Sequence, residues 1–276
     1  MNCFSPAEIA SNYIATGKSK VSISIEKMLL SGILAGMFIA FGAIASTTAA
    51  VSIPLSSVAK LVGACLFPGG LTMVLLAGSE LFTGNCLLTI PLFQREIRFG
   101  QMLRNWFFVY LGNFIGGLFV AAAVSYGHCL TLFDNALAVS TISTAAAKCS
   151  LSFGDALIKG ILCNILVCIA VWISFAAKDV AGKIAGLFFP IMIFVLCGFE
   201  HCIANMYYIS AGLFANTIPA YANACTACGI DTSNLTIGNF LTANLLPVTL
   251  GNIIGGALLV GGFYWLLYLK GKKHNF

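Results

Sequence analysis

Two short polar stretches interrupt the most apolar parts of this sequence and decide its fold. The first is Gly198-Phe-Glu-His-Cys-Ile-Ala-Asn205, and the second is Gly78-Ser-Glu-Leu-Phe-Thr-Gly-Asn85. Both follow the pattern G-x-E-x-x-x-[G/A]-N, and the shared residues recur 120 positions apart. Each stretch lies inside an apolar run, roughly 55–91 and 184–215, that is longer than the about 20 residues needed for one bilayer crossing.

The carboxylates of Glu80 and Glu200 fall near the middle of these runs. A carboxylate at mid-bilayer depth costs roughly 2.5–3.5 kcal/mol, so its presence at two equivalent places requires a function or a structural partner. We interpret both runs as broken helices whose interruptions meet at the membrane midplane and form a path for a substrate.

The composition excludes a soluble globular protein. The chain has 276 residues, of which 59% are hydrophobic and only 8% are charged, and its mean hydropathy is +0.97. The long apolar runs predict an all-α membrane protein and not a β-barrel, whose strands are about 10 residues long. No charged segment followed by an apolar core opens the chain, so no cleavable signal peptide is predicted. The expected partner is the lipid bilayer, with no nucleic acid.

Hydropathy predicts six transmembrane helices in a channel-sized domain, 25–270, between an N-terminal amphipathic helix, 1–24, and a tail, 271–276. Eleven lysines and arginines fall on one side and three on the other, which predicts cytoplasmic termini in the cell inner (plasma) membrane. Ser5-Pro-Ala-Glu8 predicts a capping box at the start of the first helix. The predicted crossings are 28–53, 57–91 (broken), 103–126, 154–177, 184–213 (broken) and 239–269.

The two halves of the chain resemble each other. Leu111-Gly-Asn-Phe-Ile-Gly-Gly117 matches Leu250-Gly-Asn-Ile-Ile-Gly-Gly256, and Gly32-Ile-Leu34 matches Gly160-Ile-Leu162. Three crossings in each half give two inverted repeats, about 25–126 and 150–269. The glycine pairs themselves are typical of close helix packing.

The first break is predicted at Phe67-Pro-Gly-Gly70, followed by a non-helical stretch over Leu71–Phe82, because proline and glycine disfavour helix. The second break is predicted near Gly198. Helices 2 and 5 are therefore broken at the midplane. The half-helices that follow should offer unpaired N–H groups, which favour anions.

His201 is the only histidine predicted within the bilayer, and its repeat equivalent is Leu81. We predict that it lines a pore as a hydrogen-bond or proton donor, with a satisfied structural histidine as the alternative. Thr83 is the hydroxyl nearest the first break. It either donates to a dehydrated anion or caps a helix.

The repeated carboxylates and amides at the breaks are interpreted as a scaffold that holds the non-helical segments in shape. A proton relay or cation site is the alternative reading of the carboxylates. The four residues are Glu80, Glu200, Asn85 and Asn205.

Eleven cysteines raise the question of redox or metal chemistry. Six of them fall inside predicted helices, where a small apolar packing role is expected: Cys65, Cys86, Cys163, Cys168, Cys197 and Cys202. Cys225-Thr-Ala-Cys228 is a C-x-x-C pair in a predicted loop, for which a disulfide stays open. No second pair accompanies it at zinc-site spacing, so we predict no metal and no cofactor.

At this point the motifs resemble a known family. GSELFTGN, GFEHCIAN, the two LGN-x-IGG runs, and Lys148 at its distance from Gly160-Ile-Leu-Cys-Asn164 are together similar to the formate/nitrite transporter family of pentameric anion channels. The resemblance covers essentially the whole chain. Within the family the chain is most similar to the clostridial hydrosulfide channel, since formate channels carry Thr-Ser-Thr where this chain has Thr83-Gly-Asn85.

The resemblance implies an aquaporin-like protomer, with one pore in each subunit of a homopentamer. His201 matches the family's central histidine, Thr83 the threonine that faces it, and Lys148 a lysine that draws anions inward. On hydropathy alone, Lys148 is a solvated or snorkelling side chain. The family's cytoplasmic constriction matches Leu71, Leu81 and Asn164, and its periplasmic constriction matches Phe67, Val167 and Phe194.

The sequence therefore predicts a membrane channel for small monovalent weak-acid anions, hydrosulfide first, with formate, nitrite and chloride as further candidates. A formate or nitrite channel or proton symporter is the alternative. A neutral-solute aquaporin-like channel is a further alternative, but this chain lacks the Asn-Pro-Ala pair of such channels. A cation-coupled carrier is another, and it would use Glu80 and Glu200. An enzyme is not predicted, because one histidine and scattered cysteines supply no catalytic set.

Overall fold

The computed structural model describes residues 3–271, so the predicted tail lies outside the described residues except for Gly271. The described chain is a bundle of helices, and one isolated antiparallel bridge joins Cys3 to Ala177. The helices of the first half are α1 Pro6–Ser22, α2 Ile25–Ala50, α3 Ser56–Leu66, α4 Pro68–Leu76, α5 Phe82–Asn85, a 3-10 turn Cys86–Leu88, α6 Thr89–Phe93 and α7 Phe99–Tyr126.

The second half contains two helices that hydropathy missed, Ala136–Cys149 and Pro219–Ala227, and ends with one long composite helix. Within that last helix, Phe240–Leu245 and Ile254–Gly262 are π-helical. The remaining helices are a 3-10 turn Cys129–Thr131, α8 Ala136–Cys149, α9 Phe153–Ala176, α10 Val180–Leu196, α11 Cys202–Ala215, α12 Pro219–Ala227, α13 Ile237–Asn239, α14 Leu246–Ile253 and α15 Phe263–Tyr268.

Helix α1 packs beneath the bundle through its apolar face. Its start is a capping box, in which the Ser5 N–H donates to Glu8 Oε2 at 2.7 Å and the Glu8 N–H donates to Ser5 Oγ at 3.4 Å. The bond from the Ser5 backbone N–H holds the pKa of the Glu8 carboxyl below its ordinary value. Tyr13 is buried and meets Phe175 edge to face, with the ring centroids 5.4 Å apart.

Five helices in the described part of the chain are long and apolar enough to cross a membrane. They correspond to five of the six predicted crossings. The predicted fifth crossing, 184–213, consists instead of two shorter apolar helices, α10 and α11, with a break at 197–201. The five long helices are Ile25–Ala50, Ser56–Leu76, Phe99–Tyr126, Phe153–Ala176 and Ile237–Tyr268.

The prediction that Phe67-Pro-Gly-Gly70 stops the first segment is wrong. Of the predicted non-helical stretch over Leu71–Phe82, only 77–81 is non-helical. Phe67 keeps helical dihedral angles, and its N–H donates to the Gly63 carbonyl at 3.2 Å. Pro68 begins α4, where a missing N–H costs little because the first turn of a helix has no partner for it. The break lies one helix later, at 77–81.

Both breaks begin with the same glycine-based helix ending. Gly78 and Gly198 adopt left-handed φ values of +80° and +70°, which glycine reaches without the strain that a side chain would bring. The next residues, Ser79 and Phe199, then each donate a backbone N–H across the last turn at 3.0 Å. These are the bonds of a Schellman motif, which satisfies the free carbonyls of the ended helix.

Hydropathy predicts plain loops before the fourth crossing and between the fifth and sixth crossings, but these segments contain α8 and α12. Helix α8 is short, and its buried face packs against α11, where Gly212 lies against Ala145. Helix α12 places Cys225 in its last turn, with Sγ 4.0 Å from the Val139 carbonyl oxygen. A short helix with small buried residues gives little hydropathy signal, which explains why both were missed.

The cysteines divide by environment. Cys225 is buried and Cys228 is exposed, and both are free thiols. Cys65 and Cys197 lie exposed on the helix surfaces, so a packing role in the core is wrong for these two. The four other helical cysteines are buried, as the sequence predicts: Cys86, Cys163, Cys168 and Cys202.

Glycines bring two helix pairs into backbone contact. Gly116 of α7 lies directly against the Ile33 carbonyl of α2, and Gly255 lies in the same way against the Ile161 carbonyl of α9. The packing interpretation of the LGN-x-IGG glycines is thereby confirmed. These two close pairs bring the asparagine of each run next to a helix break.

Candidate functional site

His201 and Leu81 occupy the same backbone position at the two breaks. Leu81 precedes α5 with φ −111° and ψ 122°, and His201 precedes α11 with φ −109° and ψ 114°. Both are N-cap positions, for which an extended backbone is usual. The difference between them is chemical, since an imidazole can accept and donate hydrogen bonds where leucine cannot.

The His201 ring bridges the two broken segments. Its Nδ1 accepts the Ala204 backbone N–H at 3.1 Å, and its Nε2 lies 2.8 Å from Thr83 Oγ1. An Nδ1 that accepts carries no hydrogen, so the hydrogen of the neutral ring is on Nε2 and is donated to the threonine. The Thr83 hydroxyl hydrogen is then free to be donated elsewhere. Both side chains are buried, with 2% and 0% exposure of the residues.

Lys148 forms a bidentate ion pair with Glu200. Its Nζ donates to both carboxylate oxygens at 2.9 Å, and the side chains are 16% and 7% exposed. Asn205 Nδ2 also donates to Glu200 Oε2 at 2.6 Å. Lys148 comes from the last turn of α8, so this unpredicted helix is what carries the lysine to the second break.

Lys20 does the same at the first break, and the sequence reasoning missed it. Its Nζ donates to both oxygens of Glu80 at 2.8 and 2.9 Å, and Asn85 Nδ2 donates to Glu80 Oε2 at 2.7 Å. A signal was present: Lys20 precedes Lys148 by 128 positions, the same offset as between Gly32 and Gly160. The hydropathy pattern does not single out this lysine, because it lies in the N-terminal helix, outside the apolar runs.

One further asparagine continues each cluster. Asn85 Nδ2 donates to Asn105 Oδ1 at 2.8 Å, and Asn205 Nδ2 donates to Asn244 Oδ1 at 2.7 Å. Asn105 and Asn244 each donate on to the backbone carbonyl of the neighbouring lysine at 3.0 Å. These two residues were not predicted. Their 139-residue offset, which the LGN-x-IGG runs share, was the available signal.

The asparagines of the LGN-x-IGG runs hold the backbone of each break. Asn113 Nδ2 donates to the carbonyls of Gly32 and Glu80 at 2.8 and 2.9 Å, and its Oδ1 accepts the Phe82 N–H at 3.0 Å. Asn252 makes the corresponding bonds to Gly160, Glu200 and Cys202 at 2.8, 3.0 and 2.9 Å. The first N–H of each half-helix is therefore bonded, contrary to the expectation that these groups are unpaired.

The residues matched to the constrictions are all buried, and several lie at the site. The rings of Phe67 and Phe194 meet edge to face with centroids 5.5 Å apart, and Phe194 lies 5.9 Å from the His201 ring. Asn164 Nδ2 donates to the carbonyls of Thr83 and Asn252 at 3.3 and 2.7 Å. Leu71, Leu81 and Val167 belong to the same buried apolar cluster as these rings.

A cavity of about 680 Å³ leads to the His201 ring. We call it the Lys148 cavity. Phe67, Phe194 and His201 line it together with the Lys148–Glu200 pair, whereas Thr83 lies behind the histidine and does not line it. Within residues 3–271, no group of three or more metal-ligating side chains occurs.

These features define an integral membrane protein of the transport class. Apolar helices surround two interrupted segments, and the polar groups of the interruptions meet through His201 and Thr83. A charged cavity reaches that meeting point from one side. Irregular backbone at such depth is tolerated where it is covered by protein or lines a cavity.

Comparison with known proteins identifies the family. A family profile described as "Formate/nitrite transporter" matches residues 7–266. The chain belongs to the formate/nitrite transporter family. It is 40% identical over 269 residues to the "Uncharacterized transporter YrhG" of Bacillus subtilis (strain 168), with 96% of this chain and 94% of that protein covered. It is 36% identical to the "Formate channel FocA" of Escherichia coli (strain K12), with 98% and 96% covered.

Two solved structures share the fold over nearly their whole length. A "Pentameric formate channel with formate bound" superposes with a TM-score of 0.79 at 32% identity, covering 89% of this chain and 98% of that one. An "FNT family ion channel" superposes with a TM-score of 0.81 at 30% identity, covering 94% and 98%. The similar proteins named here are transporters and channels, not enzymes.

Proposed function

We propose that this chain forms the pore of a homopentameric channel for small monovalent weak-acid anions, with formate as the first permeant to test. The observation that supports it most is the hydrogen bond between His201 and Thr83, which joins the two broken segments at the end of a lysine-lined cavity. Two of the similar proteins are formate channels, which supports formate as the permeant.

The proposed topology has six crossings in two inverted repeats, with both termini in the cytoplasm. In it, α10 and α11 together form the fifth crossing. The paired hydrogen bonds of Lys20 with Glu80 and of Lys148 with Glu200 support the repeats, since each half builds the same cluster from equivalent residues. The excess of lysine and arginine on one side supports the orientation.

The mechanism begins with attraction of the anion into the Lys148 cavity. An ammonium group has three N–H donors, and Lys148 gives two of them to Glu200. The third can be donated to a permeant anion. Because Glu200 fixes the lysine, the donor is held in place without a further loss of side-chain freedom.

The apolar rings beyond the cavity set the barrier. Burying a bare charge costs far more than burying the neutral acid, so passage between Phe67 and Phe194 favours the protonated form. Leu71 and Leu81 would form the second apolar ring, beyond His201. A weak acid, whose anion can be protonated in the cavity, therefore crosses as its neutral form. The anion of a strong acid stays charged and is held back.

His201 and Thr83 act between the two rings as hydrogen-bond donors. The Nε2–H of His201 is donated to Thr83, whose own hydroxyl hydrogen can then be donated to the permeant. Protonation of Nδ1 would break the bond that caps α11, so the neutral ring is the form that fits this fold. The proton that neutralises the anion is accordingly assigned to water in the cavity rather than to the imidazole.

Hydrosulfide is the second candidate, because Thr83-Gly84-Asn85 departs from the Thr-Ser-Thr expected of a formate channel. Gly84 is buried, and the nearest atom to a Cβ placed on it is Val171 Cγ2 at 3.4 Å. A serine hydroxyl is therefore lacking at this point of the site. Fewer hydroxyl donors suit a softer, weakly hydrogen-bonding permeant better than a carboxylate.

Flux measurements in proteoliposomes test this proposal. Formate, nitrite, hydrosulfide and chloride are offered one at a time at several pH values, with empty liposomes as the control. We expect weak-acid flux that rises as pH falls and chloride flux that is far lower. Absence of flux for all four anions, or flux that requires sodium, would overturn the proposal, as would selective conduction of a neutral solute such as glycerol.

A further inference from the structure

We infer that the Lys148 cavity contains an anion-capture site in which Lys60 and Lys159, rather than Lys148, supply the uncompensated positive charge. The inference rests on the proposed function, since it names the residues that collect the permeant before it reaches His201. Its ligand class is a small hydrated anion, held loosely enough to move on.

The charges around the cavity do not balance. Three lysines and one glutamate line it, which leaves a net charge of two positive. Lys148 is not the source of that excess, because both oxygens of Glu200 accept its hydrogens. None of the described carboxylates pairs with Lys60 or Lys159. At a distance, the Lys148–Glu200 pair therefore attracts an anion much less than the other two lysines do.

Lys60 and Lys159 both lie next to the second break. Lys60 comes from α3, and its Nζ lies 4.0 Å from where a Cβ on Gly198 would be. Lys159 comes from α9, and its backbone carbonyl accepts the Glu200 N–H at 3.3 Å. Both residues line the cavity, as Glu200 does.

The internal repeat separates the backbone role of Lys159 from its side chain. In the first half of the chain, Glu80 donates its N–H to the carbonyl of Ser31 at 3.3 Å, as Glu200 does to Lys159. Ser31 and Lys159 are 128 positions apart, the offset of the repeat in this region. A serine suffices for that bond, so the ammonium group of Lys159 is not needed for it. The positive charge of Lys159 is therefore present only in the second half of the chain, where this residue lines the Lys148 cavity.

Helix α8 completes the site with a row of hydroxyls. Ser140, Ser143 and Thr144 share one face of the helix with Lys148 at intervals of three to four residues, and all four line the cavity. None of the three hydroxyls is donated to a group in the described part of the chain. They can therefore bond to a hydrated anion or its water along the way to Lys148.

The cavity volume fits capture of a hydrated ion. Its 680 Å³ is room for roughly twenty water molecules, far more than a formate-sized anion occupies. The anion keeps most of its hydration shell there, and the two lysines raise its local concentration. Dehydration then begins only at the Phe67 and Phe194 rings.

The test compares wild type with the double variant Lys60→Gln/Lys159→Ser in proteoliposomes. Serine at 159 reproduces the residue of the first half, and Lys183→Gln is the matched control, since it removes one charge at the far end of α10. Initial formate flux is measured against formate concentration at low and at high ionic strength. We expect the half-saturating concentration of the double variant to rise about threefold or more at low ionic strength, with the maximal rate kept.

Inorganic sulfate gives a second readout. A divalent anion binds a site with two uncompensated cations more strongly than a monovalent one, and its second charge hinders passage between the apolar rings. Sulfate should therefore inhibit formate flux competitively in wild type and in Lys183→Gln, and much less in the double variant at the same ionic strength. Lys60→Arg/Lys159→Arg should keep wild-type inhibition.

The outcomes separate the two proposals. A wild type that conducts no anion overturns the proposed function. A wild type that conducts, with a double variant that matches it in half-saturation and in sulfate inhibition, overturns the capture site alone. Should the double variant not assemble, Lys159→Ser by itself carries the same comparison, with a smaller expected shift.

Discussion

Lys20 Nζ donates to both carboxylate oxygens of Glu80, at 2.8 and 2.9 Å, and thereby ties the N-terminal helix to the first helix break. The side chains are 19% and 14% exposed, so the pair is largely removed from water. The fold of the break thus depends on α1, a helix outside the membrane-spanning bundle.

Replacing Lys20 with Gln should lower the free energy of unfolding by about 1–3 kcal/mol, because the Glu80 charge stays buried with Asn85 as its main donor. Thermal unfolding of the purified channel in detergent measures the change. Lys18→Gln is the control, since the Lys18–Glu96 pair is 51% and 22% exposed and its loss should cost less than about 1 kcal/mol. Equal losses for both variants would contradict the prediction.

His201→Asn should separate the two bonds of the imidazole. An asparagine Oδ1 can replace Nδ1 as the acceptor of the Ala204 N–H, whereas nothing replaces the Nε2 contact with Thr83. We expect near wild-type thermal stability and anion flux reduced about tenfold. His201→Phe should lose the flux and also about 1 kcal/mol of stability, because the cap is gone. Wild-type flux in His201→Asn would refute this role.

Thr83 should tolerate serine but not valine. Valine has nearly the shape of threonine but lacks the oxygen, so the buried Nε2–H of His201 would lose its acceptor at a cost of about 1–3 kcal/mol. We expect Thr83→Val to reduce formate flux strongly and Thr83→Ser to keep most of it. Stopped-flow flux of both variants at matched protein density provides the comparison. Equal rates for Thr83→Val and Thr83→Ser would show that the hydroxyl has no role in permeation.

Asn113 and Asn252 should prove equally important to stability. Each makes three bonds to the backbone around its break. Alanine would leave the glutamate carbonyl and one N–H unpaired inside the protein, and a helical glycine carbonyl would lose its second bond. We expect Asn113→Ala and Asn252→Ala each to destabilise the protein by about 3 kcal/mol or more. Thermal unfolding of the two variants checks this. A large loss for only one of them would show that the halves are not held together alike.

The sequence predicts much of this fold, because long apolar runs leave few alternatives to membrane-length helices. The first long helix, predicted at 28–53, is observed at Ile25–Ala50, and the fourth, predicted at 154–177, is observed at Phe153–Ala176. The position of the first break was missed. Proline and glycine at Pro68–Gly70 are tolerated in the first turn of α4, whereas the true end depends on the positive φ of Gly78, which a composition argument does not identify.

The partners at the site were harder to predict than the site itself. The repeated Glu80 and Glu200 were visible as costly charges in apolar runs, but the lysines that pair with them come from α1 and α8, far away in the sequence. Asn105 and Asn244 carry no local signal, because each lies within about two turns of the start of its long helix, where a polar side chain is expected. Only the repeat offsets, 128 positions for the lysines and 139 for these asparagines, could have connected them.

The glycines at the helix crossings give the sharpest structural prediction. A Cβ on Gly116 would collide with the Ile33 carbonyl and lie 2.9 Å from the Met37 nitrogen, and a Cβ on Gly255 would collide with the Ile161 carbonyl. Backbone atoms cannot turn away as a flexible side chain can, so the helices must separate. The asparagines at the breaks would then lose their bonds. We expect Gly116→Ala and Gly255→Ala each to cost about 1–3 kcal/mol and to lower flux.

Gly154→Ala is the matched control for these two variants, because nothing lies within 4 Å of its Cβ position near the start of α9. Alanine is the better helix former, so this variant should be neutral or more stable by up to about 1 kcal/mol. Thermal unfolding and formate flux of the three variants distinguish the cause. If all three lose stability alike, the loss reflects the added methyl group in general. The close approach of α7 to α2, and of the π-helical segment Ile254–Gly262 to α9, would then not explain it.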